Sequence, residues 1–239
     1  MELEKLKALL FSGNKEEIKT SLEQGKDSTE FQDLLKHINK FIDWKHSAEH
    51  FREEDKYERV PLLDLMTMKT FDCSNINIVN TPVPDQIIYL EHLEILNLKQ
   101  YWFLEDFELI WGHDDYPTGI SEEGSPLKFP VGMENLKNLH TVDLSNNHLE
   151  KLPDFIFKLP KLKELKIGAN YIYSLPKQIG DLKSLENLDL SYSPNLNEIP
   201  EEIAQLKNLK TLNLKTTGFS ENSDGDRLKT LLPNTTIKY

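Results

Sequence analysis

One motif recurs through the second half of this 239-residue chain, and it limits the available folds more than any other feature. Apolar residues at fixed spacing, with an asparagine and a Leu-Pro pair, follow the pattern LxxLxLxxNxLxxLPxxIxxLxx. Copies start at Leu139, Leu162 and Leu185, so the first two are 23 residues long, and the third, which ends before Leu209, has 24. A unit this short cannot bury its apolar face alone, so the copies must stack and share a core.

The LxL alternation in each copy predicts a short strand whose alternate side chains face the core. Asn147 and Asn170 follow their strands, where the chain must turn and an asparagine side chain can satisfy backbone groups. The Leu-Pro pairs then begin a segment on the opposite side, where proline is tolerated because no sheet bonding is needed. Each copy is therefore expected to contribute one strand and one return segment.

Two degenerate copies precede the regular ones, and both lack the asparagine. The first covers residues 68–90, and the second starts at Leu93, is interrupted by an insertion at residues 104–126 and continues from Phe129. At the other end of the chain, residues 220–239 depart from the pattern. They predict a last helical turn and a closing strand, which would cover the open edge of the stack.

The repeated pattern resembles the leucine-rich repeat family, specifically the 23-residue LPxxI variety found in intracellular Ras-group and bacterial repeat proteins. The resemblance implies an α/β fold, a solenoid with parallel strands on its concave side and irregular, 3-10 or helical segments on its convex side. We therefore predict an N-terminal helical cap at residues 1–60 and a leucine-rich repeat domain at residues 61–239. That domain would hold about five repeats, the insertion and the C-terminal cap.

The first 60 residues show no repeat, but their apolar residues have helical spacing. Asn14, with Glu17 three residues later, predicts the start of a helix that ends at Gly25. A third helix is expected from Thr29. Its predicted buried stripe consists of Phe31, Leu34, Leu35, Ile38, Phe41 and Ile42. The simplest role of this helical unit is to cap the first strand, and the alternative is a separate docking module.

Composition excludes several classes of function. The chain has 28 basic and 40 acidic residues, and a net charge of −12 argues against nucleic acid as the main partner. No apolar run approaches the ~18 residues that a membrane-spanning helix needs, and the first residues lack the positive start of a secretory signal. We therefore expect a cytoplasmic protein. The single cysteine, Cys73, falls at a core position and excludes an internal disulfide.

One motif suggests metal chemistry. His46, Glu49 and His50 form an HxxEH sequence, the zinc motif of one metalloprotease class, and on a helix the two histidines would share a face. A zinc hydrolase also needs a third ligand and a catalytic domain, and the repeats leave no room for one. The sequence also contains no phosphate-binding glycine loop. It therefore predicts no metal, no cofactor and no enzyme.

The insertion is the first candidate binding surface. Residues 104–126 contain seven acidic residues and no lysine or arginine, and aromatic residues lie within and just before them. Aromatic anchors among acidic groups suit a basic segment of a protein partner, and the alternative is that the aromatics pack on the solenoid. The predicted contact residues are Tyr101, Trp102, Trp111, Asp114, Asp115 and Tyr116.

The second candidate is the outward face of the strands. Each copy should place three residues on this face, such as Thr141, Asp143 and Ser145. The central one of the three forms what we call the middle column, which consists of Asp72, Asn97, Asp143, Lys166, Asp189 and Asn213. Tyrosines lie near one rim of this face, and tyrosine provides contact area at low entropic cost. The residues we predict to bind are Asn97, Asp143, Lys166, Tyr171, Asp189 and Tyr192.

The function expected from these features is protein–protein interaction without catalysis, through the concave face and the insertion. The alternative is a secreted bacterial effector or the targeting subunit of an enzyme complex. Effectors of this repeat class that act as ubiquitin ligases need a catalytic cysteine, and the only cysteine here is predicted to lie in the repeat core.

Overall fold

The repeats form one open parallel sheet. The computed structural model describes residues 3–49, 62–74, 83, 85–99, 129–219 and 221–239. Seven strands pair in the order β1-β2-β3-β4-β5-β6-β7, each parallel to its neighbours. The strands are β1 (Thr70–Asp72), β2 (Ile95–Asn97), β3 (Thr141–Asp143), β4 (Glu164–Lys166), β5 (Asn187–Asp189), β6 (Thr211–Asn213) and β7 (Thr236–Lys238).

The return segments contain short 3-10 helices, which the Leu-Pro pairs position. Pro153, Pro176 and Pro200 directly precede three of these helices, because the fixed φ of proline suits a helix start and its missing N–H is not needed there. The 3-10 helices cover Asp85–Tyr89, Met133–Asn135, Asp154–Lys158, Lys177–Asp181 and Glu201–Gln205. The predicted solenoid of strands on one side and 3-10 segments on the other is confirmed.

The core lies between the strands and the return segments. The middle residue of every strand from β1 to β6 is buried, as are the repeat leucines and isoleucines that flank it. Cys73, 1% exposed, lies in this core as predicted. The return segment that begins at Phe129 also joins it, through Met133 and Leu136. Burial of this kind contributes about 25 cal/mol per Å² of apolar surface, so stacking of neighbouring repeats holds the fold.

Buried asparagine bonds join successive repeats at the turns that follow the strands. Asn170 Nδ2 donates to three carbonyl oxygens, those of Leu144, Ile167 and Gly168, at 2.8–3.2 Å. Its Oδ1 accepts from the backbone N of Asn147 and Leu149, at 3.0 and 2.9 Å. The predicted turn role of this asparagine is therefore confirmed, and it extends to the preceding repeat.

Asn147 makes the corresponding link toward the degenerate repeats. Its Nδ2 donates to Leu98 O at 2.7 Å and to Ser145 O at 3.2 Å. Its buried Oδ1 has no donor among the described residues. In the 24-residue repeat Ser193 occupies the asparagine position, and its Oγ accepts from Asn170 N at 3.4 Å. The extra residue is therefore accommodated in the turn, outside the strands.

Four α-helices precede and accompany the first repeat: α1 (Leu3–Leu10), α2 (Lys15–Gln24), α3 (Thr29–Glu49) and α4 (Leu62–Met66). Asn14 caps α2 as predicted, with its Oδ1 accepting from the backbone N of Glu16 and Glu17. Helix α2 ends before Gly25, also as predicted. Ser28 rather than Thr29 caps α3, because its Oγ accepts from Phe31 N at 3.3 Å.

The helices contact the end of the first repeat through aromatic rings and one hydrogen bond. The rings of Phe11 and Tyr89 stack at 5.6 Å, His37 meets Tyr89 edge-on at 5.9 Å, and His92 Nε2 lies 2.7 Å from Phe11 O. Of the predicted stripe of α3, Phe31 and Ile38 are buried, and Leu34 and Leu35 are partly buried. Buried residues of the helices and repeats form one hydrophobic cluster.

The two ends of the chain follow the prediction to different degrees. The C-terminal helix, α5 (Glu221–Leu231), has 11 residues, more than the single turn predicted, because Leu228 and Leu232 are buried against the last repeat. Strand β7 pairs with β6 as the predicted closing strand. The domain boundary at residue 60 stays a prediction, because residues 50–61 lie outside those described.

Candidate functional site

The strand register produces the predicted middle column on the outward face of the sheet. Pairing places Asp72, Asn97, Asp143, Lys166, Asp189 and Asn213 opposite one another in successive strands. Lys238 of β7 continues the column. Because neighbouring strands lie about 4.8 Å apart, the column is a closely spaced row of polar side chains on a rigid sheet. We call this outward strand surface the concave face.

The Asp and Asn members of the column also have a structural role that the sequence reasoning missed. Asp143 Oδ1 accepts from Ser145 N at 2.9 Å, and Asp189 Oδ1 accepts from Ser191 N at 2.9 Å. Asn97 Oδ1 makes the same bond to the backbone N two residues on, at 3.1 Å. These Asx turns end the strands. An Asp or Asn as the third strand residue of successive repeats was the signal available in the sequence.

Lys166 differs from the rest of the column because it has no acceptor to form such a turn. Its Nζ lies 3.1 Å from Glu164 Oε1 in the same strand. Next to it, a shallow depression crosses β4 to β7. The polar side chains that line the depression are Glu164, Lys166, Asn187, Asp189, Thr211, Asn213 and Lys238. Of the predicted binding residues, Lys166 and Asp189 are thus brought together in one hollow.

The predicted tyrosines follow the strands, at the rim where the strands end. We call this rim, formed by residues 145–149, 168–172, 191–196 and 215–219, the carboxyl rim. Tyr171 meets the ring of His148 edge-on at 5.2 Å. Burial lowers the pKa of His148, so this imidazole is neutral at physiological pH. Tyr192, in contrast, is 63% exposed, and Tyr173 just beyond the rim is 55% exposed.

Tyr192 also occupies a strained backbone position. The residue before each asparagine position has a left-handed backbone, with φ of 58° at Asn146, 53° at Ala169, 57° at Tyr192 and 58° at Thr216. Asparagine tolerates this conformation, whereas bulky and β-branched residues pay about 1 kcal/mol or more for it. At this position Tyr192 is 63% exposed, so the tyrosine that the sequence predicts to bind is open to solvent.

A second row of charged residues, which the sequence analysis did not identify, lies where the strands begin. We call this edge, residues 136–140, 159–163, 182–186 and 206–210, the amino rim. Glu186 lies between Lys163 and Lys210, at 3.5 and 2.5 Å. The preceding repeats continue the row, with Glu94 Oε1 2.7 Å from Lys69 Nζ and Glu94 Oε2 3.3 Å from His140 Nε2.

The glutamates in this row are held in their charged form. A hydrogen bond from Lys210, reinforced by its charge and by Lys163, lowers the pKa of Glu186. Hydrogen bonds from Lys69 and then from His140 lower the pKa of Glu94. All these residues follow the first apolar residue of their repeats, so aligning the repeats in the sequence would have shown a row of charged residues of both signs.

Several predicted sites lie outside the described residues. These are Tyr101, Trp102, Trp111, Asp114, Asp115 and Tyr116, together with the whole insertion at 104–126. His50 is also outside, and of His46 and Glu49 only the backbone in α3 is described. Within the described ranges, no three His, Cys, Asp or Glu side chains form a group that could hold a metal ion. Among the helices described, none is both long and apolar enough to span a bilayer.

Known proteins are similar to this chain over its repeats. A family model for a leucine-rich repeat region matches residues 122–235. Adenylate cyclase of Schizosaccharomyces pombe is 31% identical over 156 residues, which are 62% of this chain and 9% of the cyclase. Leucine-rich repeat-containing protein 58 of Xenopus tropicalis is 30% identical over 129 residues, 53% of this chain and 35% of that protein. The chain therefore spans a minor part of these relatives.

Among solved structures, a leucine-rich repeat protein of Leptospira interrogans is 29% identical to this chain. The match covers 74% of this chain and 50% of the other, with a TM-score of 0.45. The sequence pattern, the matched region and the observed stack of parallel strands together show that this chain contains a leucine-rich repeat region.

Proposed function

We propose that this chain is a non-enzymatic protein-interaction module that binds a protein partner through its concave face, extended by the acidic and aromatic insertion. Leucine-rich repeat proteins are commonly interaction modules. The observation that carries the proposal is the in-register polar column on seven parallel strands. Side chains fixed on a sheet lose little conformational freedom on binding, so little ordering entropy opposes a complex.

The chemistry of the face favours a partner with a basic segment. Asp143 and Asp189 each use Oδ1 for a backbone bond, and a carboxylate has further lone pairs with which to accept from a partner's ammonium or guanidinium. Exposed Tyr192 adds aromatic contact area at the carboxyl rim. The net charge of −12 would speed the encounter with a basic partner.

Similar repeat regions occur in proteins with quite different names, among them an adenylate cyclase and a plant virus-resistance protein. In both, the match is a small share of the whole protein, 9% and 12%. This distribution fits a recognition role better than one particular chemistry. We infer that the chain itself carries out no reaction.

The experiment starts with affinity capture from a lysate of the source organism, on the intact chain and on a chain lacking residues 104–126. The captured protein is then identified, purified and titrated by calorimetry against the double variant Asp143→Asn, Asp189→Asn. Asparagine keeps the Oδ1 acceptor of each Asx turn, removes the charge and replaces Oδ2 by an amide NH2. We expect affinity to fall about tenfold, the effect of losing two exposed charge pairs, with an unchanged unfolding midpoint.

A matched control is Asp154→Asn with Asp181→Asn, which removes two carboxylates from the 3-10 helices of the convex side. Unchanged affinity in the control and loss in the concave variant would support the concave site. Equal affinity in both would contradict it. A partner lost only when residues 104–126 are removed would place recognition in the insertion alone.

A further inference from the structure

The amino rim carries an unexpected excess of lysine for so acidic a chain. Its four segments, LKNLH, LPKLK, LKSLE and LKNLK, contain six lysines and one glutamate in 20 positions. They therefore have a net charge of +5 within a chain of −12. The six residues, which we call the lysine row, are Lys137, Lys161, Lys163, Lys183, Lys207 and Lys210. All six side chains are exposed.

Four of the six lysines have no ion-pair partner among the described residues. Lys163 and Lys210 share Glu186. No carboxylate of the described residues lies within ion-pair distance of Lys137, Lys161, Lys183 or Lys207. Three of these four make hydrogen bonds with neutral oxygens only.

Those three bonds orient the ammonium groups and leave their charge available. Lys137 Nζ donates to Lys158 O at 3.1 Å, Lys161 Nζ to Asn138 Oδ1 at 2.7 Å, and Lys183 Nζ to Gln205 Oε1 at 2.6 Å. Each ammonium has three N–H donors, so two remain on each for an external acceptor. The row is thus built to present donors and positive charge along one edge of the sheet.

We propose that the lysine row is a second docking surface, which takes an acidic segment of a protein partner. Four strands at about 4.8 Å spacing make the row roughly 14 Å long. An extended peptide covers that length with about five residues. A short acidic stretch therefore matches the row in both charge and length.

Charge screening favours a short acidic peptide over a longer polyanion. At physiological salt, charges more than about 8 Å apart are largely screened, so a short segment on the row senses the row rather than the acidic remainder. A nucleic acid or an anionic membrane would extend beyond the row, and the rest of the chain, with −12 for the whole and +5 for the row's segments, has a net charge of −17. The four segments also contain no arginine, which binds phosphate through two parallel hydrogen bonds. They contain no phenylalanine, tyrosine or tryptophan, which stack on bases.

Fluorescence anisotropy of a labelled eight-glutamate peptide, titrated with the full chain, tests this surface. The test variant is Lys161→Glu, Lys183→Glu, Lys207→Glu. The control is Lys151→Glu, Lys177→Glu, Lys215→Glu, which changes the net charge equally at sites away from the amino rim. We expect the test variant to weaken binding about tenfold or more, the control to weaken it less than about threefold, and added salt to weaken wild-type binding.

Several outcomes would overturn the proposal. No binding of the peptide by the wild type would do so, as would an equal loss in both triple variants, which would make bulk charge the cause. An eight-nucleotide oligothymidylate or a phosphatidylserine vesicle that binds more tightly than the peptide, through the same lysines, would replace it with another class of ligand. Binding seen only after deletion of residues 104–126 would make the chain's own acidic insertion the occupant.

Discussion

The two rims of the sheet repeat with the same period but are held by different interactions. The carboxyl rim depends on buried bonds, such as those of Asn170, which cross from one repeat to the next. The amino rim depends on exposed ion pairs, such as Glu186 with Lys210. Buried hydrogen bonds are costly to break because they leave polar groups without partners away from water. Exposed ion pairs are screened by solvent and contribute little to stability. The carboxyl rim should therefore determine stability, and the amino rim is free to serve recognition.

The substitution Asn170→Ala tests this difference between the rims most directly, and we expect it to have the largest effect. The change removes five hydrogen bonds in the core and leaves buried backbone groups of two repeats without partners. We expect the free energy of unfolding to fall by about 3 kcal/mol or more. Urea denaturation measures it. Asn147→Ala is the control, and because Asn147 makes two such donor bonds it should cost clearly less; equal losses would contradict the ranking.

A smaller effect is expected at Asp189, which is the last residue of β5, next to the carboxyl rim, and is half-exposed. Asp189→Ala removes the acceptor for Ser191 N and Ser191 Oγ, so we expect a loss of about 1 kcal/mol in unfolding free energy. Asp189→Asn keeps an Oδ1 acceptor and should lose less than half as much. Thermal unfolding of both variants checks this, and similar midpoints for alanine and asparagine would refute the Asx-turn role.

A gain of stability is expected from Thr216→Asn. Thr216 is β-branched and has a φ of 58°, a conformation that asparagine adopts at lower cost. The substitution should raise the free energy of unfolding by about 0.5 to 1 kcal/mol. The reciprocal change at the equivalent position, Asn146→Thr, should lower it by a similar amount. If chemical denaturation showed the same sign for both, backbone strain would not be the determinant.

The smallest effect should arise at the amino rim and depend on pH. Because Lys210 and Lys163 lower the pKa of Glu186, its contribution to stability is present above the ordinary glutamate pKa of 4.5 and is lost as pH falls through the lower folded value. Glu186→Gln removes this titration. Urea midpoints between about pH 6 and about pH 3 should therefore decrease more for the wild type than for the variant. Parallel decreases would show that Glu186 is not linked to folding.

Much of the fold could be predicted from the sequence because each structural position of the repeat occurs in several copies. The strands, the middle column and the turn after Asn170 all occupy positions shared by several copies, and the structure confirms them. The closing strand was predicted from a single segment, and there the length of the accompanying helix was underestimated.

What the sequence analysis missed concerned relations between repeats rather than within them. The row of Lys69, Glu94, Lys163 and Glu186 becomes visible only when the residues that follow the first apolar residue of each repeat are compared across copies. The sequence predicts Asp143 and Asp189 as binding residues but does not reveal their Asx turns, because a polar residue on an outward face has the same sequence pattern in either role. The insertion belongs to no repeat, so no other copy shows what its residues do. The four candidate residues within it, and the two just before it, stay predictions.

The 24-residue repeat shows how this architecture accommodates spare length. Asp189 pairs with Asn213, 24 residues away, in the same register as Asp143 and Lys166, which are 23 apart, and Asn97 pairs with Asp143 across 46. Strand spacing is set by hydrogen bonds and not by the number of residues between strands. The spacing and register of the strands therefore stay constant when the chain that connects them is longer. New sequence can be added at the turns of such a chain without disturbing the surfaces already in place.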